Sequence, residues 1–388
     1  MNTALAKVHA ALAREHRSRE TFIIRAPGRV NLIGEHTDYN GGWVLPCAID
    51  FATYIAARKR DDRTVRTIAL DIGGAEVQFG IDHGYRHEAT QPWSNYIRAV
   101  TQVLIDEGYA LCGADIFVSG DIPQGAGLSS SASLCVSIAK AFNELCKLNL
   151  SPMTLSKIAQ AAENRYVGCN CGIMDQVASA ISAQGHATLL DCDSLESNLI
   201  PIPQDLHIVI IHSGISRGLV DSEYNSRRRD CETASQHFGA LNLRQVSREQ
   251  LERHKGRLSP IAFKRAYHVV SENQRVLAFV DALRQCDLLS LGEIMAASHR
   301  SMRDDFEITT PEIDLLVEYI NRQIGSRGGS RMTGGGFGGC VVALCESSAL
   351  ASIQTDAIPR YQEKTGRVAT LYSCSPCAGA SILEPKPR

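Results

Sequence analysis

Residues 120–133, with the sequence GDIPQGAGLSSSAS, combine the residue types that bind phosphate groups. Gly125 and Gly127 allow tight turns that expose backbone N–H groups, and the serine hydroxyls can cap a helix or reach a metal ion. An apolar run precedes the segment and a helical pattern follows it, which places its N–H groups at a helix N-terminus that attracts phosphate. The segment predicts a loop that holds a nucleoside triphosphate, with a plain glycine–serine turn before a capped helix as the alternative.

A second segment, residues 25–42, crowds many kinds of polar side chain between glycines. A pocket for a polyhydroxylated ligand needs this variety, because each hydroxyl group requires both a donor and an acceptor. A solvated surface loop is the alternative. The polar residues concerned are Arg29, Asn31, Glu35, His36, Thr37, Asp38, Tyr39 and Asn40.

Two carboxylates further along the chain follow mostly small, apolar or uncharged residues. Glu163 lies near the end of a predicted helix that begins with Ser151 as N-cap and Pro152 as its first residue. This position suits either a metal ligand aimed at the glycine–serine loop or an ordinary exposed acid. Asp175 is the single acid of an uncharged stretch, which is a common arrangement for a general base. A helix-capping aspartate is the alternative for Asp175.

A third unusual segment contains eight glycines among residues 325–339. So many glycines are costly in backbone entropy, and they predict a close approach of the backbone to a neighbouring loop or a phosphate. A flexible linker is the alternative. Tyr224, in a predicted helix, offers a ring and a hydroxyl to a ligand, although packing on a helix face would also explain it.

The elements that must position these residues follow from hydrophobic periodicity. The first half predicts closely spaced strands, which suggests an antiparallel sheet, and the second half predicts mainly helices. We expect a domain boundary near residues 201–205, with domains 1–203 and 204–388. Strands are predicted at 21–25, 43–47, 53–58, 65–70, 77–81, 116–118, 187–191, 206–212, 340–345 and 368–372, and helices at 3–15, 93–105, 152–167, 219–233, 260–283, 288–303, 311–324 and 347–361.

Composition limits the function classes. The chain has 388 residues and a formal net charge of -2, so no general attraction to nucleic acid is expected. No apolar run approaches the 18 or so residues of a membrane span. The thirteen scattered cysteines predict reduced thiols in a cytosolic protein, with Cys169 and Cys171 as small packing residues. Cys374 and Cys377 form a lone CxxC pair without a partner pair for zinc.

Together, residues 25–42, 120–133 and 331–339 resemble the three motifs of the GHMP small-molecule kinases, which include galactokinase, homoserine kinase, mevalonate kinase and phosphomevalonate kinase. The sequence GRVNLIGEHTDYNG at 28–41 resembles the galactokinase signature specifically. The similarity extends through CNCGIMDQ at 169–176 and MRDDFE at 302–307, and it covers nearly the whole chain.

The resemblance implies an α/β (α+β) fold of two domains, the first with a mixed sheet like domain 2 of ribosomal protein S5 and the second ferredoxin-like. It also implies transfer of the γ-phosphoryl group of ATP to the C1 hydroxyl of D-galactose, which gives α-D-galactose 1-phosphate and ADP. This reaction is the first committed step of galactose metabolism. We expect a cytoplasmic enzyme that acts as a monomer and requires Mg²⁺.

The resemblance also assigns roles to residues. Asp175 is the expected base for the sugar hydroxyl, and Arg29 beside it keeps Asp175 ionised and stabilises charge on the transferred group. Mg²⁺ is expected on Ser131 and Glu163. The residues expected to wrap the triphosphate are Gly125, Ala126, Gly127, Leu128, Ser129, Ser130 and Ser131. Those expected to bind the sugar are Glu35, His36, Thr37, Asp38, Gly172, Asp175 and Tyr224.

Two alternatives to this function stay open. One is a related sugar-1-kinase for N-acetylgalactosamine or galacturonate. The other is a non-catalytic sensor that binds galactose and ATP and acts through a partner protein. The presence of the serine-rich loop 129–133 together with Glu163 and Asp175 favours turnover over the sensor. Protein kinases and P-loop proteins are disfavoured, because the sequence lacks His-Arg-Asp, Asp-Phe-Gly and the Gly-x4-Gly-Lys-Ser/Thr pattern.

Overall fold

A computed structural model describes residues 2–14, 21–215 and 220–383 of the protein. Its strands are β1 (Thr21–Asn31), β2 (Trp43–Val44), β3 (Pro46–Lys59), β4 (Thr64–Ala69), β5 (Ala75–Gly80), β6 (Ala114–Gly120), β7 (His186–Asp191), β8 (Ser197–Pro201), β9 (Leu206–His212), β10 (Gly328–Thr333), β11 (Cys340–Glu346), β12 (Thr370–Cys374) and β13 (Ser381–Leu383). Its α-helices are α1 (Thr3–Arg14), α2 (Ser94–Asp106), α3 (Ser130–Cys146), α4 (Pro152–Ala162), α5 (Met174–Ile181), α6 (Val220–His237), α7 (Arg248–Arg253), α8 (Pro260–Arg284), α9 (Leu288–Ser301), α10 (Pro311–Ile324), α11 (Ser347–Ser352) and α12 (Ile358–Thr365).

The first sheet has six strands in the order β13-β1-β3-β6-β4-β5. The sheet is mixed, as the resemblance implies, since β4 and β5 pair antiparallel whereas β4 and β6 run parallel. The reason is the connection after β5, where helix α2 carries the chain back so that β6 enters the middle of the sheet between β3 and β4.

Strand β3 is buried on both sides, which shows how the first sheet is covered. Ile55 and Ala57 join the core formed with α2, α3 and α4. Tyr54 and Ala56, which alternate with them, pack against α1. This alternation follows from the two-residue period of a strand, and it leaves the loop between β6 and α3 at the end of a rigid layer.

The second half of the chain forms a four-stranded antiparallel sheet in the order β10-β11-β9-β12, packed against helices. Helix α10 begins as predicted, with the Thr310 hydroxyl accepting a hydrogen bond from the Ile313 N–H and Pro311 in the first turn. Strand β10 lies inside the glycine-rich segment and was not predicted. Gly329 of β10 allows α9 to approach, because a side chain on Gly329 would overlap the backbone of Gly292 in α9.

The two halves share a hydrophobic core. Val30 and Leu32 pack in one cluster with Ile208, Ile210 and Val276. The division at residue 203 stays a prediction, and the structure adds that β13 returns to the first sheet beside β1. Three short elements, β8, α7 and β13, were also not predicted. Within the described residues, no helix combines the length and apolar content that a membrane span needs.

Candidate active site

Two cavities meet at the side chains of Arg29 and Asp175. The first has a volume of about 200 Å³ and lies between the polar segment 25–42 and helices α5 and α6. The second, of about 270 Å³, lies over the glycine–serine loop. Arg29 and Asp175 line both cavities, so a molecule in one can reach a molecule in the other at this point.

Arg29 and Asp175 form a bidentate ion pair. Arg29 Nε donates to Asp175 Oδ1 and Arg29 Nη2 donates to Asp175 Oδ2, both at 2.7 Å. Nη1 of the buried Arg29 donates to the Gly127 carbonyl at 2.6 Å, which ties the pair to the phosphate loop. Asp175 stands in the first turn of α5, but the N-cap is Ile173. The capping alternative for Asp175 is therefore wrong.

The serines of the loop do not cap α3 as predicted. Ser129 occupies the N-cap position with φ 62°, in the left-handed region, and its side chain makes no capping hydrogen bond. Its hydroxyl donates instead to Asp175 Oδ2 at 2.5 Å. The Ser129 side chain thus leaves the first N–H groups of α3 without a capping partner, and Ser130 and Ser131 at this end of the helix line the second cavity. Ala126 packs in the core beneath the loop.

Glu163 offers an oxygen to a cation beside this loop. It begins the π-helical turn Glu163–Val167, and its Oε2 accepts a hydrogen bond from Gln176 Nε2 at 3.1 Å. Its Oε1 is buried and has no hydrogen-bond partner among the described residues. Burial raises the pKa of Glu163 to about 7, Asp175 adds to this rise, and the Ser131 hydroxyl opposes it. An orphaned carboxylate oxygen beside a serine hydroxyl fits Mg²⁺, which takes few protein ligands when phosphates supply others.

Most of the residues expected to bind the sugar line the first cavity: Glu35, His36, Asp38, Gly172, Asp175 and Tyr224. Burial raises the pKa of Asp38 to about 7, with a further rise from Asp175. Gly172 lies against the Asp38 carboxylate so closely that a methyl group on it would overlap that carboxylate. The Tyr224 ring lies 5.0 Å from the His36 ring, between ring centroids, and closes one side of the cavity.

Thr37 supports the turn instead of the cavity wall. Its hydroxyl lies 2.9 Å from the Gly34 carbonyl oxygen and 2.7 Å from the Trp43 carbonyl oxygen. The side chain is fully buried. The structure therefore does not bring Thr37 together with the other predicted sugar ligands.

Arg331 is a residue of the site that sequence reasoning missed. Its fully buried guanidinium donates to the carbonyls of Leu32 at 2.7 Å and Asn31 at 2.9 Å, and to Glu35 Oε1 at 3.1 Å. The same Oε1 accepts from the Gly334 N–H at 2.9 Å. The glycine-rich segment that contains Arg331 did predict a close approach of its backbone to another group. The sequence did not indicate that this group is Glu35.

Cys169 and Cys171 also belong to the cavity wall, together with Asn225, Gly334 and Gly335. The prediction that both cysteines are packing residues is therefore incomplete, since each also faces the space in which a ligand would lie. Nothing in the sequence around Cys169 and Cys171 indicates that they line a ligand cavity.

Three family models match the chain. The GHMP kinases N terminal domain matches residues 95–183, the galactokinase galactose-binding signature matches 13–59, and the GHMP kinases C terminal domain matches 279–364.

The chain is also similar to solved structures. A galactokinase from Lactococcus lactis, solved in complex with galactose, is 33% identical, and the alignment covers 98% of this chain and 100% of that one with a TM-score of 0.93. Mevalonate kinase from Methanococcus jannaschii is 18% identical over 92% and 99% of the two chains, with a TM-score of 0.64. Homoserine kinase from Cytophaga hutchinsonii is 17% identical over 95% and 99%, with a TM-score of 0.61. The last two show the fold alone, whereas the first, with the galactose-binding signature, shows that this chain belongs to the galactokinase family of the GHMP kinases.

Proposed function

We propose that the protein transfers the γ-phosphoryl group of ATP to the C1 hydroxyl of D-galactose and releases α-D-galactose 1-phosphate and ADP. The observation that carries this proposal is the junction of two cavities at Arg29 and Asp175. One cavity has the polar variety that a hexose requires, and the other has the loop that suits a triphosphate. The galactokinase-specific signature and the relative solved with galactose support the same substrate.

Asp175 is positioned to accept the proton of the C1 hydroxyl. Two donors from Arg29 and one from Ser129 fix the orientation of its carboxylate. Because each carboxylate oxygen has two lone pairs, Oδ1 keeps one for the sugar. Arg29 adds a positive charge at the point where the phosphoryl group passes between the cavities, and it is tied to the loop through Gly127.

Ser131 and Glu163 would hold Mg²⁺. When bound, the ion neutralises charge on the β- and γ-phosphates and orients them. The buried Oε1 of Glu163 supports this assignment, since a cation would supply the partner that it lacks among the described residues.

The charge of the sugar cavity favours a neutral hexose. The carboxylates of Glu35, Asp38 and Asp175 line it together with the guanidinium of Arg29, so that carboxylates outnumber guanidinium groups in the wall. An anionic sugar such as galacturonate would meet like charges there, so we expect it to be a poor substrate. A cytoplasmic location and action as a monomer remain predictions from the resemblance and the cysteine content.

The test is ADP release measured across galactose, glucose, N-acetylgalactosamine and galacturonate at saturating MgATP. We expect galactose to give the highest kcat/KM and galacturonate the lowest. A matched preparation of Asp175→Asn controls for contaminating ATPase. ADP release that no sugar stimulates, together with measurable binding of galactose and ATP, would instead support the sensor.

A further inference from the structure

Two thiols outside the active site lie in direct contact. Cys112 Sγ and Cys146 Sγ are 3.2 Å apart, and both side chains are half-buried. Cys146 is the last residue of α3, whose 17 residues place it roughly 25 Å from the phosphate loop at the other end of the helix. The pair therefore plays no part in the chemistry proposed above.

The surroundings of Cys146 favour its thiolate. The Cys112 N–H donates to Cys146 Sγ at 3.3 Å. The hydrogen bond with the Cys112 thiol lowers the pKa of Cys146 and raises that of Cys112, and the positive charge of Lys59 lowers both. Burial and the C-terminal end of α3 oppose a negative charge there, whereas the hydrogen bond with the Cys112 thiol is the largest influence on the pKa of Cys146 and lowers it. A thiolate next to a second, protonated thiol is the arrangement of a redox-active pair.

We propose that Cys112 and Cys146 form a reversible disulfide when the protein meets a peroxide. The Cys146 sulfur attacks one peroxide oxygen, the O–O bond breaks, and Cys146 sulfenic acid and water form. The Cys112 sulfur then attacks Cys146 Sγ, the S–O bond breaks, and a second water leaves as the S–S bond forms. The two thiols lose two electrons and two protons, and the peroxide is reduced to water. Only a small side-chain movement is needed to bring sulfurs at 3.2 Å to the disulfide length of about 2.05 Å.

The covalent link would close a ring around the unit that carries the phosphate loop. Between Cys112 and Cys146 the chain contains β6, the glycine–serine loop and α3, and nothing else that is regular. A cross-link restricts the unfolded chain, so the oxidised protein should unfold at a higher temperature than the reduced one. Because the pair lies at the far end of α3, we expect kcat to be unchanged.

The test treats the native protein with hydrogen peroxide, blocks free thiols with iodoacetamide in denaturant, and maps unreduced peptides by mass spectrometry. We expect a peptide pair that joins Cys112 to Cys146, is about 2 Da lighter than the two free peptides together, and separates with dithiothreitol. Oxidation should raise the midpoint of thermal unfolding by roughly 3–5 °C.

Two variants sharpen the test. Cys112→Ser should give no cross-link, and its Cys146 sulfenic acid should react with dimedone. Cys286→Ser removes an exposed thiol and should leave the cross-link and the thermal shift intact. Complete iodoacetamide labelling of Cys112 and Cys146, at a peroxide dose that oxidises Cys286, would overturn the proposal. A cross-link confined to Cys169 and Cys171 would overturn it as well.

Discussion

At the scale of single residues, the site depends on how Asp175 is surrounded. Arg29 and Ser129 together donate three hydrogen bonds to its two carboxylate oxygens. None of these donors comes from the helix that carries Asp175. The carboxylate is therefore oriented by the strand and the loop that flank it, and each partner can be tested separately.

Asp175→Asn should lower kcat at least ~10²-fold, the usual scale for a positioned acid or base, with little change in KM. The asparagine amide keeps the shape of the aspartate side chain but cannot accept a proton near neutral pH. Steady-state ADP release measures the change. The control is Asp82→Asn, which removes an exposed aspartate paired with Arg63 and should leave kcat unaltered. Near-normal kcat in a folded Asp175→Asn protein would remove Asp175 from this role.

Ser129→Ala and Ser129→Gly should both lower kcat about tenfold, because both remove a hydrogen bond to a charged group. Their stabilities should differ, however. Alanine at φ 62° keeps the strain of a left-handed backbone, whereas glycine relieves it. The glycine variant should therefore unfold with a free energy about 1 kcal/mol larger than that of the alanine variant. Urea denaturation gives this comparison, and equal stabilities would contradict it.

Glu163 should make stability depend on pH. Because burial raises its pKa to about 7, the folded protein holds this proton more tightly than the unfolded chain. The resulting stabilisation is fully present below the unfolded pKa and is lost as pH rises through 7. Between pH 5.5 and pH 8 the wild type should lose roughly 2 kcal/mol relative to Glu163→Gln, in the absence of Mg²⁺ and nucleotide.

Urea denaturation of both proteins at the two pH values measures this difference. Asp38, whose pKa is also raised to about 7, is present in both proteins, so its contribution cancels. Mg²⁺ with ADP should stabilise the wild type more at pH 8 than at pH 5.5, since a cation competes with the proton. Parallel pH profiles for the wild type and Glu163→Gln would rule out this titration.

At the scale of elements, glycines set how closely segments approach. Gly172→Ala should push the Asp38 carboxylate out of place, because the added methyl group would overlap it. We expect KM for galactose to rise about tenfold or more, in line with the loss of one hydrogen bond to a charged group. Isothermal titration with galactose and the steady-state KM measure this effect. Gly256→Ala, at an exposed glycine with open space around it, should change neither value.

The elements also show what a sequence can predict. Helices such as α10 were predicted because periodicity and capping residues are local signals, and Thr310 and Pro311 fulfil them. Strand β10 was not predicted because its glycines do not have the pattern of a strand. The reason for glycine here is the close approach of α9, a tertiary contact that the local sequence does not show. The parallel pairing of β4 and β6 likewise depends on where a helix returns the chain.

Within the site too, features with a local sequence signal were predicted and features that depend on tertiary contacts were not. Arg29 lies beside Asp175, as the resemblance implies, and Glu163 is close enough to Asp175 for that charge to raise the pKa of Glu163. The hydroxyl of Ser129 was expected at a helix cap, since serine is favoured there, but an acceptor distant in sequence took it. The burial of Arg331 could not be predicted from the residues around it in the sequence, because its hydrogen-bond partners are distant in sequence.

At the scale of the whole molecule, Arg331 connects the two halves. Arg331→Met should destabilise the protein by about 3–5 kcal/mol, because it leaves the buried Glu35 carboxylate without its ionic partner. The change should also raise KM for galactose, since Glu35 lines the sugar cavity. Urea denaturation and steady-state kinetics measure the two effects. Arg322→Met, at an exposed pair with Glu318, should change stability by less than about 1 kcal/mol.

The position of β13 bears on how the protein is made. Residues 381–383 complete the first sheet beside β1, whose own residues leave the ribosome long before them. A nascent chain that already contains the phosphate loop and both cavities still presents β1 as an open edge, with unpaired N–H and C=O groups that invite other strands. Until β13 emerges, the growing polypeptide therefore carries an exposed strand edge that neighbouring copies can capture.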